Sequence, residues 1–205
     1  MLLEPDILEK YQALIFDMDG TLIDTMASHA KAWEITGEHF GYQVDSSVMY
    51  ELGGATTYTI GREIMKRANM PLELLEDVVQ MKRQIAMDLT YQHASLLPTF
   101  EIVRYYSGKK PLAVGTGAHR IQAYKLLDKF NLRPYFNAIV DADDVIKHKP
   151  DPETFLLCAQ RLGIEAKHCL VFEDADLGIK AALDGGMDVF DVRTNTLIKA
   201  GCNSI

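Results

Sequence analysis

Ala13-Leu14-Ile15-Phe16-Asp17-Met18-Asp19-Gly20-Thr21-Leu22 sets a short apolar run directly before two aspartates one residue apart. Four consecutive apolar residues with no polar alternation predict a strand buried on both faces, as in a parallel sheet. Asp17 and Asp19 then fall at the carboxyl end of that strand, where open α/β sheets bind their ligands. Two carboxylates this close repel each other unless a cation or a shared proton sits between them. Asp-Gly is also a common turn dipeptide. A turn accounts for Asp19 and Gly20 but leaves the acid at the strand tip unexplained.

Working outward, strand-like runs alternate with helical patterns after residue 98. Leu112–Gly115 precedes a pattern carrying Ala123, Leu126, Leu127 and Phe130. Ala138–Val140 precedes one that opens near Pro152 and stops at Gly163. Leu170–Phe172 precedes Leu177–Leu183, ended by Gly185-Gly186, and Val189–Val192 closes the series. Such alternation predicts βαβ units and a parallel sheet. Residues 25–95 break the rhythm with helical patterns alone. One holds Ala30, Trp33, Gly37 and Phe40. Another holds Leu75, Val78, Val79, Lys82, Ile85, Ala86 and Leu89, with Lys82 as its single polar interruption. The expected architecture is α/β: a Rossmann-like parallel sheet core from residues 1–24 and 96–205, with an inserted all-helical cap domain over 25–95. Thr194 to Ile205 reads as a loose tail.

The chain has 205 residues, a 48% apolar and 24% charged composition and a net charge of −8. Its acids are spread along the chain, which disfavours the basic stripes that nucleic-acid binding needs. No partner of that kind is expected. Positive charge for a phosphate ligand must therefore be local, from a metal and one or two lysines. No apolar stretch approaches the roughly 20 residues that span a bilayer, and the first twelve residues, with Glu4, Asp6 and Glu9, lack the features of a secretory signal. No membrane association is expected, and the location expected is cytoplasmic. The 3 cysteines, Cys158, Cys169 and Cys202, have no metal-binding spacing, and the first two read as small buried apolar residues.

Four features follow successive strands: Asp17 with Asp19; Thr116 beside Gly117; Lys149 within Lys-His-Lys-Pro-Asp-Pro; and Glu173-Asp174. Singly, the last three have ordinary readings. Thr116 could cap a helix, Lys149 could be a solvated surface lysine, and the acid pair could serve the positive end of the next helix. Jointly they compose a phosphate-handling site.

The order Asp-Met-Asp-Gly-Thr-Leu, strand-end Thr, Lys-Pro-Asp-Pro and Val-Phe-Glu-Asp-Ala-Asp-x-Gly resembles the haloacid dehalogenase superfamily. The helical insertion resembles the cap of its β-phosphoglucomutase-like branch. Runs after residue 110 resemble the bacterial sugar-phosphate phosphatases that act on fructose 1-phosphate and 6-phosphogluconate. The resemblance implies hydrolysis of small sugar or sugar-acid monophosphates, with Asp17 as nucleophile and Asp19 as acid and base. It implies Mg²⁺ held by Asp17, Asp174 and the Asp19 main-chain carbonyl, with Glu173 a ligand directly or through water. Thr116, Gly117 and Lys149 would bind the transferring phosphate. From the cap side it implies substrate contacts by His29, Trp33, Gly54, Thr57 and His119, although Trp33 also fits an apolar stripe. Where the mutases carry a loop arginine for a second phosphate, this chain has Thr57. Arg62 lies further along, and His119-Arg120 fall where the mutases also touch that phosphate. The expected partner is one small phosphorylated sugar, and the expected state a monomer or weak dimer.

Three rival functions differ in what they require. A sugar phosphate mutase needs a grip on two phosphates, which the cap loop does not supply. A phospho-Asp receiver domain needs neither the insertion nor Asp19. A nicotinamide-binding domain needs G-x-G-x-x-G, and Arg120 stands where the third glycine of Gly115-Thr116-Gly117 would follow.

Overall fold

The apolar run becomes β1 (Ala13–Phe16), buried along its whole length and preceded by a short helix, α1 (Pro5–Leu8). In the computed structural model, which describes residues 5–201, the chain continues through β2 (Ile23–Asp24), α2 (Met26–His39), α3 (Val48–Glu51), α4 (Thr57–Arg67), α5 (Leu75–His93) and β3 (Ser95–Leu96). It then alternates through α6 (Phe100–Tyr106), β4 (Leu112–Gly115), α7 (Arg120–Lys129), β5 (Ala138–Val140), α8 (Glu153–Leu162), β6 (Cys169–Glu173), α9 (Asp176–Asp184), β7 (Asp188–Asp191) and β8 (Thr196–Ile198).

The main sheet has the order β5-β4-β1-β6-β7-β8. β1 pairs in parallel with β4 and β6, so that Ile15 faces Ala113 on one side and Val171 on the other. The chain passes from β1 to β4 and β5 on one flank, then returns to build β6 and β7 on the other. That reversal opens a crevice at the carboxyl ends of β1, β4 and β6, the usual ligand position in such sheets.

Side-chain alternation divides β1 between two cores. Leu14 and Phe16 join a cluster with Ile102, Val103 and Leu127, under α6 and α7. Ala13 and Ile15 join one with Phe155, Cys158 and Ala181, under α8 and α9. Phe16 and Phe172 stack at 4.6 Å across the first cluster. Cys158 and Cys169 are buried free thiols, and burial pushes the Cys158 thiol upward, away from the reactive thiolate. Among the described residues, no helix is long and apolar enough to cross a membrane.

Helices α2 to α5 carry a separate apolar cluster that includes Trp33, Met49, Ile60, Ile64 and Val78. This helical segment joins the sheet body through β2 and β3, which pair antiparallel with Ile23 opposite Leu96. Leu97 N–H donates to Leu22 O at 2.9 Å beside them.

The expected tail after Thr194 is corrected. Thr196–Ile198 forms an antiparallel edge strand on β7, with Leu197 opposite Phe190. Three residues are too few for a periodicity signal, and the pairing is held from outside it. Lys199 Nζ lies 2.7 Å from Asp188 Oδ2, and Ala200 N–H donates to Asp188 Oδ1 at 2.9 Å. Cys202 and the tail's last residues, like the N-terminal residues through Glu4, lie outside the described residues.

Candidate active site

Asp17 follows β1 directly, and its N–H donates to Phe172 O at 3.0 Å, which extends the β1–β6 ladder by one residue. The chain then turns sharply, Gly20 N–H donating to Ile23 O at 2.8 Å. Gly20 has φ +87°, and a Cβ there would overlap the Asp174 carboxylate. The glycine of the first motif is thus required twice, by the turn and by the acid from the end of β6.

Lys149 reaches this point from the loop after β5 and is buried. Its Nζ donates to Asp17 Oδ1 and to Glu173 Oε1, both at 2.7 Å. The other Glu173 oxygen accepts the Ala175 N–H at 2.7 Å, and Asp174 Oδ1 accepts the Thr21 hydroxyl at 3.1 Å. Asp17, Glu173 and Asp174 each present an oxygen within 4.8 Å of the others. One ammonium does not balance three carboxylates in a buried place. Burial, outweighing Lys149, raises Asp17 well above the usual carboxylate range, with repulsion from Glu173 and Asp174 adding to it. Burial and Glu173 push Asp174 up to about 7. For Lys149, burial pulls downward, but Asp17 and Glu173 prevail and raise it. A compact all-oxygen donor set with surplus negative charge fits a hard divalent cation.

Thr116 follows β4, is buried, and accepts the Ala118 N–H at 3.0 Å. Its side chain therefore organises the loop, while His119 occupies the cap position of α7. Asp19 is held from the helical side. Its Oδ1 accepts the Thr25 hydroxyl at 2.7 Å, with His29 Nε2 at 3.7 Å. His29 Nδ1 lies 3.0 Å from Lys82 Nζ. An ammonium only donates, so Nδ1 accepts and the ring proton sits on Nε2, toward Asp19. Burial works to raise Asp19, but His29, Thr25 and Lys82 outweigh it and hold the carboxyl below its usual range. Burial brings Lys82 down to about 8 despite Asp19.

One cavity collects Asp17, Asp19, Thr116, Gly117, Lys149, Glu173 and Asp174, and adds His29, Gly54, Thr57 and His119. Trp33 is a correction: it sits 1% exposed in the helical cluster and does not line the cavity. Its indole packs where the apolar stripe of α2 meets α4, with Gly61 against it. Arg120 also turns away, its guanidinium bound to Asp141 at 2.8 Å and Asp144 at 2.6 Å. Two cations that the cap loop does not supply, Arg83 and Lys125, also line the cavity. Sequence reasoning missed Lys82 and Arg83 as site residues. Their one signal was a lysine interrupting the apolar stripe of α5.

Gly178, in the first turn of α9, lies so close to Glu173 that an added Cβ would overlap its carboxylate. Gly178→Ala is expected to displace Glu173 and with it Lys149, lowering stability by about 1–3 kcal/mol, the usual range for overpacking. Turnover at this site should fall at least tenfold. Thermal melts and phosphate-release assays check this, and a variant with ordinary activity would contradict the geometry.

A family profile described as haloacid dehalogenase-like hydrolase matches residues 14–192. The chain is 55% identical over 197 residues to an uncharacterised protein of Haemophilus influenzae, covering 96% of this chain and 98% of that one. It is 43% identical over 185 residues to fructose-1-phosphate phosphatase YqaB of Escherichia coli, covering 90% and 98%. Among solved structures, β-phosphoglucomutase from Clostridium difficile superposes with TM-score 0.76 at 25% identity, covering 88% of this chain and 84% of that one.

Proposed function

Because the chain belongs to the haloacid dehalogenase-like hydrolases and is a phosphatase of that family, we propose that it hydrolyses small sugar or sugar-acid monophosphates in the cytoplasm. Substrates like fructose 1-phosphate or 6-phosphogluconate fit the reading. The observation that carries it is the buried Lys149 between Asp17 and Glu173, at 2.7 Å from each, with Asp19 lining the same cavity. Residues 25–95 act in this reading as a cap over the sheet.

An Asp17 oxygen attacks phosphorus as the bond to the sugar oxygen breaks, forming an aspartyl-phosphate and splitting one hard displacement into two easier ones. Asp19 gives its proton to the departing alkoxide. It then takes a proton from the water that attacks phosphorus, so that inorganic phosphate leaves and Asp17 is restored. Lys149, the Thr116 hydroxyl and the Gly117 amide bind the transferring oxygens, whose charge must be held through the transition state. The ionised state favoured at Asp19 by Thr25, His29 and Lys82 suits the second half-reaction. Asp17, Asp174 and the Asp19 carbonyl would hold Mg²⁺. Glu173 commits its oxygens to Lys149 and the Ala175 amide, which favours its contribution through water. Bound there, Mg²⁺ supplies positive charge that lets an anionic nucleophile approach an anionic phosphate.

The presence of Arg83 and Lys125 favours keeping a mutase as the second reading. A panel decides between them. Fructose 1-phosphate should release inorganic phosphate without a bisphosphate activator. β-Glucose 1-phosphate should yield phosphate and free sugar, with little glucose 6-phosphate. Efficient isomerisation to glucose 6-phosphate would overturn the phosphatase assignment.

A further inference from the structure

The cavity is lined by the carboxylates Asp17, Asp19, Glu173 and Asp174 and by the cations Lys82, Arg83, Lys125 and Lys149. Lys149 is held by Asp17 and Glu173, and Lys82 by His29, which leaves Arg83 of α5 and Lys125 of α7 as the lining cations bonded to none of these four acids. Arg83 is held in place by contacts on two sides. Its Cζ lies 5.1 Å from the Tyr58 ring, and its Nη2 lies 2.9 Å from His119 Nε2. His119 Nδ1 is in turn 2.6 Å from Asp143 Oδ1. An ionised carboxylate only accepts, so Nδ1 carries the proton and Nε2 accepts from the guanidinium. The Asp143–His119–Arg83 relay orients a cation of the helical segment from the sheet body.

That relay leaves Arg83 incompletely used. Its Nε is buried with no hydrogen-bond partner, and among the described residues its polar contact is the neutral acceptor of His119. Native structures rarely leave a buried donor unmet, and a missing ligand is one ordinary reason for it. His119 and Tyr58 carry no negative charge, and Lys82 nearby adds repulsion. The Glu76 carboxylate, which accepts the Tyr58 hydroxyl at 2.8 Å and feels the guanidinium, forms no salt bridge with it. A neutral hydroxyl would meet the N–H but leave the charge. An anionic oxygen pair would meet both, since the guanidinium fork matches carboxylate and phosphate geometry.

We propose that Arg83, positioned by His119 and Asp143, is a specificity-determining residue that receives a second anionic group of the substrate, remote from the transferring phosphate. The inference rests on the phosphatase reading of the cavity and deepens it, because it selects among sugar phosphates by the charge of the far end. A neutral-ended substrate is admitted but leaves the cation unpaired, which lowers its competitive standing.

The test compares wild type with Arg83→Gln and Arg83→Lys on three substrates: 6-phosphogluconate (carboxylate end), fructose 1,6-bisphosphate (second phosphate) and fructose 1-phosphate (neutral end). Arg83→Gln should lower kcat/KM roughly 10- to 100-fold for an anionic-ended substrate, the usual span for a charge-assisted contact. It should lower the neutral-ended one by a clearly smaller factor, so that the ratio of the two kcat/KM values falls. Arg83→Lys should recover part of the loss, as a charge without the fork. Whichever of the acid and the bisphosphate loses more identifies the second group. In parallel, calorimetric binding of the same three ligands is compared between Asp17→Asn and Asp17→Asn/Arg83→Gln, which needs no turnover. A selective loss of affinity for an anionic-ended ligand supports the inference. Equal losses on all three ligands, or none, overturn it. If wild type turns over none of the three, the phosphatase reading fails while the binding series still reads Arg83.

Discussion

Asp17→Asn is expected to leave no measurable turnover of any sugar phosphate while the protein remains folded. The amide keeps the shape of the carboxylate but has no anionic oxygen to attack phosphorus, so covalent catalysis stops at its first step. Folding should not suffer. Lys149 keeps its 2.7 Å contact with Glu173, and one of three crowded carboxylates loses its charge. Because burial raises the Asp17 carboxyl well above its usual range, its ionised form weakens the metal-free fold. Neutralising it should hold or raise the thermal midpoint in chelator. Asp19→Ala differs in kind: the nucleophile survives, and both half-reactions slow by roughly 10²-fold or more, the usual size of an acid–base contribution. Phosphate release and thermal melts on the two variants separate the roles. Ordinary turnover by Asp17→Asn would mean that another residue is the nucleophile.

Excess chelator is expected to abolish activity and Mg²⁺ to restore it. Asp17, Glu173 and Asp174 converge within 4.8 Å with one lysine among them. A dianionic phosphate brought to such a place needs added positive charge. Calcium should substitute poorly, because its longer and more variable coordination spoils the alignment of nucleophile and leaving group. The folded protein alone offers this donor set, so Mg²⁺ should also raise the thermal midpoint, by about 2.7 kcal/mol of stability at a hundredfold excess over Kd. Asp174→Asn should shrink that rise. Full activity in rigorously metal-free protein would defeat the mechanism.

How much could be read from the chain beforehand depended on how local each signal was. The strands at Ala13, Leu112, Ala138 and Leu170 announce themselves as apolar runs, and the residues at their tips inherit their place from the sheet. Lys82 and Arg83 have no such address. They reach His29 and His119 only because α5 packs along α2 and leans toward α7, contacts between residues 53 and 36 positions apart. Trp33 shows the converse. An aromatic on an amphipathic helix satisfies a packing stripe and a ligand wall equally well in one dimension, and only the neighbouring α4 decides. Arg120 was drawn off by Asp141 and Asp144, acids that no spacing rule connects to it. The edge strand at Thr196 depended on Lys199 and Asp188, outside its own three residues.

The pairing of Ile23 with Leu96 and of Asp24 with Ser95 makes a single doorway between the two parts of the molecule. The chain leaves the sheet and returns to it through adjoining positions, so the material beyond the doorway contributes no rung to the main sheet and alters no register there. Such an insertion is topologically detachable. Helices could be lengthened, reordered or exchanged wholesale beyond Asp24 and Ser95, and the tips of β1, β4 and β6 would keep their alignment. A chain organised this way lets the length and makeup of the inserted helices change without disturbing the register of the main sheet.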